Sequence, residues 1–410
     1  MKLNNLLDIC SVELEKNSNS ISSIGINIID NGMKVIFPRG YDLGSNERDL
    51  KKDILLLIKV LDKYKNRKEG KIFNNDRDRL GSEEGSKFPI KIALWLLRDY
   101  ENNGIYNEYI HNYKIDKKGN INWVRTIKTQ TPYVSNNNLV YTDFVVMQKN
   151  TDINNKVILI HKAVIESCIN NMGWLYPHIN IDRGNKLPFS KTICINILKK
   201  ELSLSNLDSK KQLLKNMINF LRCTGDDIDN FKMEEYKTEY FMNIWEDMIN
   251  YVFGNEDPKK YYTKAQWNIE GRDSTYASDL EPDTILRADN IVYVLDAKYY
   301  KYGATKNINH LPQTSDITKQ LLYSSYIESN KAKFNVEKAY DAFLIPYNSL
   351  NSEVLKVVGN ATIDIKTFED KRVVCILVDM KSIMEAYIYN KYRSDYKAEL
   401  SKLIFKNQYN

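Results

Sequence analysis

The chain has 410 residues, 43% apolar and 27% charged, with only 16 Gly and 9 Pro, which fits a globular protein of two or more domains and excludes a collagen-like or low-complexity chain. Fifty-nine Lys and Arg against 53 Asp and Glu leave a net charge of +6, an excess that permits a nucleic-acid partner without identifying one. Five scattered cysteines with no CxxC and four scattered histidines argue against a disulfide framework or a zinc site, and the absence of a signal peptide or a long apolar run points to a reduced, cytoplasmic protein with no membrane partner.

The first strand signals are Gly25–Ile29 and Met33–Phe37, joined by Asp30-Asn31-Gly32, a hairpin turn sequence. Leu50, Ile54, Leu57, Ile58 and Leu61 recur at three- and four-residue steps and predict a helix over Glu47–Tyr64. A polar loop leads to Pro89 and a helix ending near Gly104. A second hairpin is expected over Tyr106–Ile127, turning at Lys117-Lys118-Gly119-Asn120, with a further strand at Leu139–Met147. Helices are expected at Val157–Met172, Lys191–Leu202 and Asp208–Arg222. The acidic stretch Asp226–Asn230 marks the expected boundary, giving domains 1–225 and 226–410.

Beyond it, Phe241, Ile244, Trp245, Met248, Ile249 and Val252 form the stripe of a helix over Glu239–Phe253. A hairpin of Thr284–Arg287 and Ile291–Lys298 follows, then a helix at Ser315–Ser329 and strands at Ala342–Pro346, Val354–Ile365 and Val373–Asp379. A long terminal helix is expected after Asp379. The expected fold is an α+β N-terminal domain of hairpins and helices, followed by an α/β domain with a mixed central sheet.

The stretch that carries chemistry is Glu281-Pro282-Asp283, a turn, and Ile291-Val292-Tyr293-Val294-Leu295-Asp296-Ala297-Lys298. Strand residues two apart share a face, so Asp296 and Lys298 point the same way. Both faces are apolar until the last residues, which predicts a strand buried on both sides. A carboxylate and an ammonium there are costly unless paired or bound. Asp283 precedes the partner strand and can approach Asp296, and a divalent cation relieves the repulsion between two converging carboxylates. Mg²⁺ suits such a site, because it takes a few carboxylate oxygens, waters and a phosphate oxygen. Lys298 can stabilise charge developing on a phosphate. The chemistry implied is phosphodiester hydrolysis. Asp-x-Lys is commonly a solvated pair, as at Asp49-Leu50-Lys51. The hairpin and the apolar run set this one apart.

Glu246 and Glu239 lie on a flank of the amphipathic helix, where a Glu is ordinarily solvated. Glu246 is the better candidate for a third acid at the metal. Gln320, in Lys319-Gln320-Leu321, is a candidate to hydrogen-bond Lys298 or a phosphate. Gly81-Ser82-Glu83-Glu84-Gly85-Ser86-Lys87-Phe88 fails as a phosphate loop: its glycines are too close, Phe88 stands where Ser or Thr should be, and two glutamates would repel phosphates.

Glu281-Pro282-Asp283…Asp296-Ala297-Lys298 with Lys319-Gln320-Leu321 resembles the PD-(D/E)xK nuclease superfamily. Within it the chain resembles the LlaJI family of restriction endonucleases, relatives of the McrC subunit of McrBC-type systems. Ile36-Phe37-Pro38-Arg39-Gly40, Gly119-Asn120-Ile121-Asn122-Trp123-Val124-Arg125-Thr126-Ile127 and Gly173-Trp174-Leu175 are similar to stretches of that family. RecB-type relatives carry Gln-x-x-x-Tyr. Here Tyr323 stands three positions after Gln320, so it is left out of the expected site.

The resemblance implies a Mg²⁺-dependent DNA endonuclease subunit with Asp283, Asp296, Lys298, Gln320 and Glu246 at the catalytic centre, and with Asp283, Asp296 and Glu246 around the metal. It also implies a separate McrB-like AAA+ hexamer that binds GTP or ATP and translocates double-stranded DNA. Residues 1–225 would dock to that motor and stimulate it, with Lys117, Lys118, Asn120, Trp123 and Arg125 as the candidate contact. Cutting both strands would bring two copies together through the complex. Two rival readings stand beside it: a non-cutting subunit that docks to and activates the motor, and a stand-alone nuclease of repair or transposition.

Overall fold

The structure, a computed structural model, describes residues 10–15, 23–29, 32–69, 87–88, 90–106, 109–135, 138–151, 155–176, 179, 181–224, 232–233, 236–349 and 351–408. Asp226–Asn230, Asp30-Asn31 and Gly81–Ser86 lie outside them. The chain divides into two compact units, Glu84–Glu234 with Met1–Leu3, and Asn4–Glu83 with Glu235–Asn410. This differs from the division expected at 225/226, because residues 4–83 cluster with the C-terminal half.

In the discontinuous unit, β1 (Cys10–Leu14), β2 (Ile24–Ile29) and β3 (Gly32–Phe37) precede helix α1 (Glu47–Glu69). Strand β4 (Tyr236–Thr238) returns to pair antiparallel with β2, giving the order β1-β3-β2-β4 with β1 parallel to β3. That pairing across two hundred residues ties the two segments of the unit together. Helix α2 (Phe241–Phe253) buries Phe241, Ile244, Trp245, Met248, Ile249, Val252 and Phe253. Burial of each such side chain stabilises by about 1.5–3 kcal/mol. Trp245 Nε1 also donates to the Leu344 carbonyl at 3.3 Å, fixing the helix on the central sheet.

An exposed two-stranded ribbon, β5 (Thr263–Trp267) and β6 (Thr275–Leu280), leads into that sheet. The sheet holds β7 (Thr284–Ala288), β8 (Ile291–Ala297), β9 (Lys338–Tyr347), β10 (Leu355–Ala361) and β11 (Val373–Asp379) in the order β7-β8-β9-β11-β10. β8, β9 and β11 run parallel, while the edge strands β7 and β10 run antiparallel to their neighbours. Six of the seven residues of β8 and all of β11 are buried, as strands covered on both faces must be. Helix α3 (Thr314–Ser329) lies between β8 and β9 in the chain and packs on both. The expected terminal helix is two helices, α4 (Met380–Tyr389) and α5 (Arg393–Lys406). Asn390 and Tyr392, at φ 56° and 58°, turn the chain into the left-handed region between them.

The smaller unit packs helix Ile90–Asn103 on Lys156–Met172 and Asp208–Cys223, with Lys191–Leu204 against the last. Buried His161 accepts the Tyr106 N–H on Nδ1 at 2.9 Å, and burial pushes its pKa down to about 4, so it is a neutral core residue. The hairpin expected over Tyr106–Ile127 takes another form. Strands Tyr109–Ile115 and Asn120–Ile121 do not pair with each other, and both pair with Val145–Thr151. Trp123–Thr129 is a helix, because the Asn122 side chain accepts the Arg125 N–H at 3.0 Å and caps it. The strand expected at Leu139–Met147 is likewise split, its first part pairing with Tyr133–Ser135.

Candidate active site

The hairpin register sets Thr284 opposite Leu295, so Asp283 falls beside the end of β8. Asp283 Oδ2 accepts the Ala297 N–H at 3.2 Å, and its carboxyl is in hydrogen-bond contact with that of Asp296. Burial first, then Asp296, then the charge of Glu246 push the Asp283 pKa well above the usual carboxylate range. The pair holds a proton because two anions that close cannot both ionise cheaply out of water. Asp296 is 6% exposed.

Lys298 continues the strand: its N–H donates to the Leu344 carbonyl at 3.0 Å, and its own carbonyl accepts the Tyr300 N–H at 2.8 Å. Its Nζ lies 3.0 Å from Asp296 Oδ2 and 3.1 Å from Asp316 Oδ1. Burial works against the ammonium, but Asp296 and Asp316 outweigh it and hold the Lys298 pKa above its ordinary range. Asp316, in the first turn of α3, also accepts the Tyr300 hydroxyl at 2.9 Å and the Gln313 N–H at 3.1 Å. Burial raises its pKa, and the contacts with Lys298 and Tyr300 more than reverse that.

Asp283, Asp296 and Lys298 thus meet at one end of the sheet. Glu246 projects from the exposed side of α2, near enough for its charge to act on Asp283, while Glu239 is exposed ahead of that helix. Gln320 is placed otherwise than expected. Its Nε2 donates to the Val294 carbonyl at 2.7 Å, and its Oε1 is buried without a hydrogen-bond partner. The lysine's partner from α3 is Asp316, which reads in the sequence as an ordinary capping acid. Tyr323 also has a place: its hydroxyl donates to the Glu281 carbonyl at 2.5 Å and holds the turn that delivers Asp283.

The donor set suits a hard divalent cation. Two carboxyls in contact, Asp296 buried and Asp283 half-buried, repel each other when both are ionised, and a cation could relieve that repulsion as a shared proton does. Among the described residues no group of three His, Cys, Asp or Glu is close enough to hold a metal, so Asp283, Asp296 and Glu246 do not gather into the three-carboxylate set that was expected.

In the smaller unit, Lys117, Lys118, Asn120, Trp123 and Arg125 are exposed. The Trp123 ring meets Phe144 edge-on at 5.7 Å with half its surface still open, and the Arg125 guanidinium lies 3.6 Å from the centre of the Tyr113 ring. Val124, Ile127, Tyr133, Val134 and Leu139 are exposed as well.

The model of the LlaJI restriction endonuclease family matches residues 24–385. The Type II restriction enzyme BsuMI component YdjA of Bacillus subtilis strain 168 is 27% identical over 397 residues, covering 89% of this chain and 80% of that protein. A solved half-complex of Thermococcus gammatolerans McrB AAA+ hexamers with bound McrC aligns at 14% identity with a TM-score of 0.35, over 93% of this chain and 83% of the matched chain. The chain belongs to the LlaJI restriction endonuclease family.

Proposed function

We propose that this member of the LlaJI restriction endonuclease family is the Mg²⁺-dependent, DNA-cutting subunit of an NTP-dependent restriction system in the cytoplasm. The observation that carries the reading is the meeting of Asp283, Asp296 and Lys298 at the end of a strand buried on both faces. Asp283 and Asp296 would hold the ion, with Glu246 on its water side. Bound there, Mg²⁺ supplies positive charge to a phosphate oxygen and acidifies water. Asp283 must give up its proton to take part. Lys298, kept charged by Asp296 and Asp316, offers its ammonium to the negative charge that grows on the phosphate as the nucleophile attacks. Gln320 is a support for β8 in this reading and not a member of the reacting set.

The motor is a separate McrB-like AAA+ hexamer that binds GTP or ATP and moves double-stranded DNA. Exposed Trp123, Val124, Ile127, Tyr133, Val134 and Leu139, close in sequence, favour the smaller unit as its docking region, since large apolar side chains left open to water can serve as interaction sites. Lys117, Lys118, Asn120 and Arg125 would be the polar contacts beside them. The same exposed residues favour the rival reading, a non-cutting activator of the motor.

A cleavage assay on duplex DNA separates the two, run with and without the AAA+ protein, Mg²⁺ and GTP or ATP. Asp296→Ala and Lys298→Ala should abolish cutting and leave stimulation of the motor's NTPase intact. Wild-type cutting by both variants would sink the site, and stimulation without any cutting by the native chain would favour the activator.

A further inference from the structure

Lys298 is followed by Tyr299, whose half-buried phenol meets groups from the far end of the chain. Its hydroxyl donates to Glu15 Oε2 at 2.5 Å and accepts the Arg39 N–H at 3.1 Å, across sequence separations of 284 and 260 residues. Arg39 Nε donates to the same Glu15 oxygen at 3.1 Å, and Arg39 Nη2 closes a second contact on Glu15 Oε1. The guanidinium lies 4.5 Å from the centre of the Tyr299 ring, and Phe241 packs against that ring at 5.5 Å. The Glu15 and Arg39 side chains are 9% and 11% exposed.

A charge pair so far out of water contributes little net stability, because desolvation offsets the attraction. Its distinctive property is directional: three donors converge on one carboxylate and fix the phenol in a single place. Gly40 explains how the loop after β3 reaches this position. Its φ is +74°, and a Cβ there would stand 2.8 Å from the backbone of Tyr347, at the last residue of β9. The loop therefore lies at the same end of the sheet as Asp296 and Lys298. On the other side of Tyr299, the Tyr300 N–H bonds the Lys298 carbonyl, so the turn that carries the lysine has Tyr299 at its centre.

We propose that Tyr299, clamped by Glu15 and Arg39, is a positioning residue that sets the turn aiming Lys298 between Asp296 and Asp316. The inference deepens the nuclease reading and rests on it for its effect on cutting. The position of the lysine is a physical quantity that can be read without it.

The test uses the full chain carrying Tyr299→Phe, Glu15→Gln, the conservative Arg39→Lys, and the Glu15→Gln/Tyr299→Phe double variant. Competitive acetylation with acetic anhydride, read by mass spectrometry, reports how accessible Lys298 is relative to the exposed lysines of the same chain. Acetylation of Lys298 should rise several-fold in Tyr299→Phe and Glu15→Gln and less in Arg39→Lys. In the presence of the motor and Mg²⁺, single-turnover cutting should fall about 10- to 100-fold with KM for DNA unchanged, the size expected of a misplaced catalytic group. The double variant should be no worse than the worse single one, since all act through one contact. Should Tyr299→Phe not fold, Glu15→Gln and Arg39→Lys carry the test alone. Unchanged Lys298 acetylation in folded variants, or rate losses that multiply in the double variant, would overturn the proposal. A native chain that never cuts DNA, with acetylation still rising in the variants, would overturn the nuclease reading and leave the clamp standing.

Discussion

Asp316 takes the ammonium of Lys298 at 3.1 Å on one carboxylate oxygen and the hydroxyl of Tyr300 at 2.9 Å on the other. The lysine is therefore held from the helix side as well as from its own strand. Asp316→Ala should leave Lys298 tethered to Asp296 alone and slow single-turnover cutting about 10- to 100-fold, as loss of positioning does. It also removes a first-turn capping group, worth about 1 kcal/mol. Thermal unfolding measured beside the rate separates the two effects. A rate equal to the native one in a folded variant would contradict the role.

The proton kept by Asp283 makes stability depend on pH in a definite direction. A carboxyl whose folded-state pKa stands above its unfolded value of about 3.9 favours folding fully below that value, and the gain is lost as pH rises through the folded value. In EDTA the native chain should thus lose stability as pH climbs out of the ordinary carboxylate range. Asp283→Asn should remove that part of the slope, and saturating Mg²⁺ should reverse it, because the metal takes the deprotonated form. Melting temperatures across pH, with and without Mg²⁺, check all three.

Trp245 and Glu246 are neighbours on α2 with opposite expected consequences. Trp245 is fully buried and bonded to the Leu344 carbonyl, so Trp245→Ala should cost about 3–5 kcal/mol. Glu246→Gln, on the exposed side, should change stability by less than about 0.5 kcal/mol. If Glu246 serves the metal, that variant should raise the Mg²⁺ concentration needed for half-maximal cutting. Urea titrations and a Mg²⁺ series give the two readouts.

Gln320→Ala should behave as a stability variant. It strips the Val294 carbonyl of a buried hydrogen bond, at a cost of about 1–3 kcal/mol. Cutting by the folded fraction should stay near the native rate. A loss of rate without loss of fold would restore Gln320 to the reacting set.

The smaller unit offers a contrast between fold and partner. Asn122→Ala removes the cap of helix Trp123–Thr129 and should cost about 1 kcal/mol. Val124→Ser with Ile127→Ser, at exposed positions, should leave thermal stability unchanged and abolish stimulation of the motor's NTPase. Normal stimulation by that double variant would remove this helix from the docking site.

The chemistry-bearing hairpin was legible because its logic is local. A period of two put Asp296 and Lys298 on one face, and the five-residue apolar run Ile291–Leu295 announced a strand covered on both sides. The β11 bounds and the α2 stripe were legible for the same reason. Trp123–Thr129 was misread as a strand because Ile121-Asn122-Trp123-Val124 alternates like one. The deciding event was a single Asn122 side chain capping a helix. Asp316 was hidden by its type, since an acid in a first helical turn needs no further explanation. The Glu15–Tyr299 contact and the β2–β4 pairing join residues hundreds of positions apart, and no periodicity records such meetings.

The return of β4 to β2 has a consequence for the order in which a ribosome makes this protein. Until residues 236–238 have emerged, β2 waits with one flank of its backbone donors and acceptors unmatched, and the early sheet stays incomplete. Lys298 emerges later still, so the site proposed for hydrolysis is assembled only after the smaller unit has been made. A product cut short within the smaller unit would present a lone sheet edge and lack the proposed site, a form inclined to clump or be degraded.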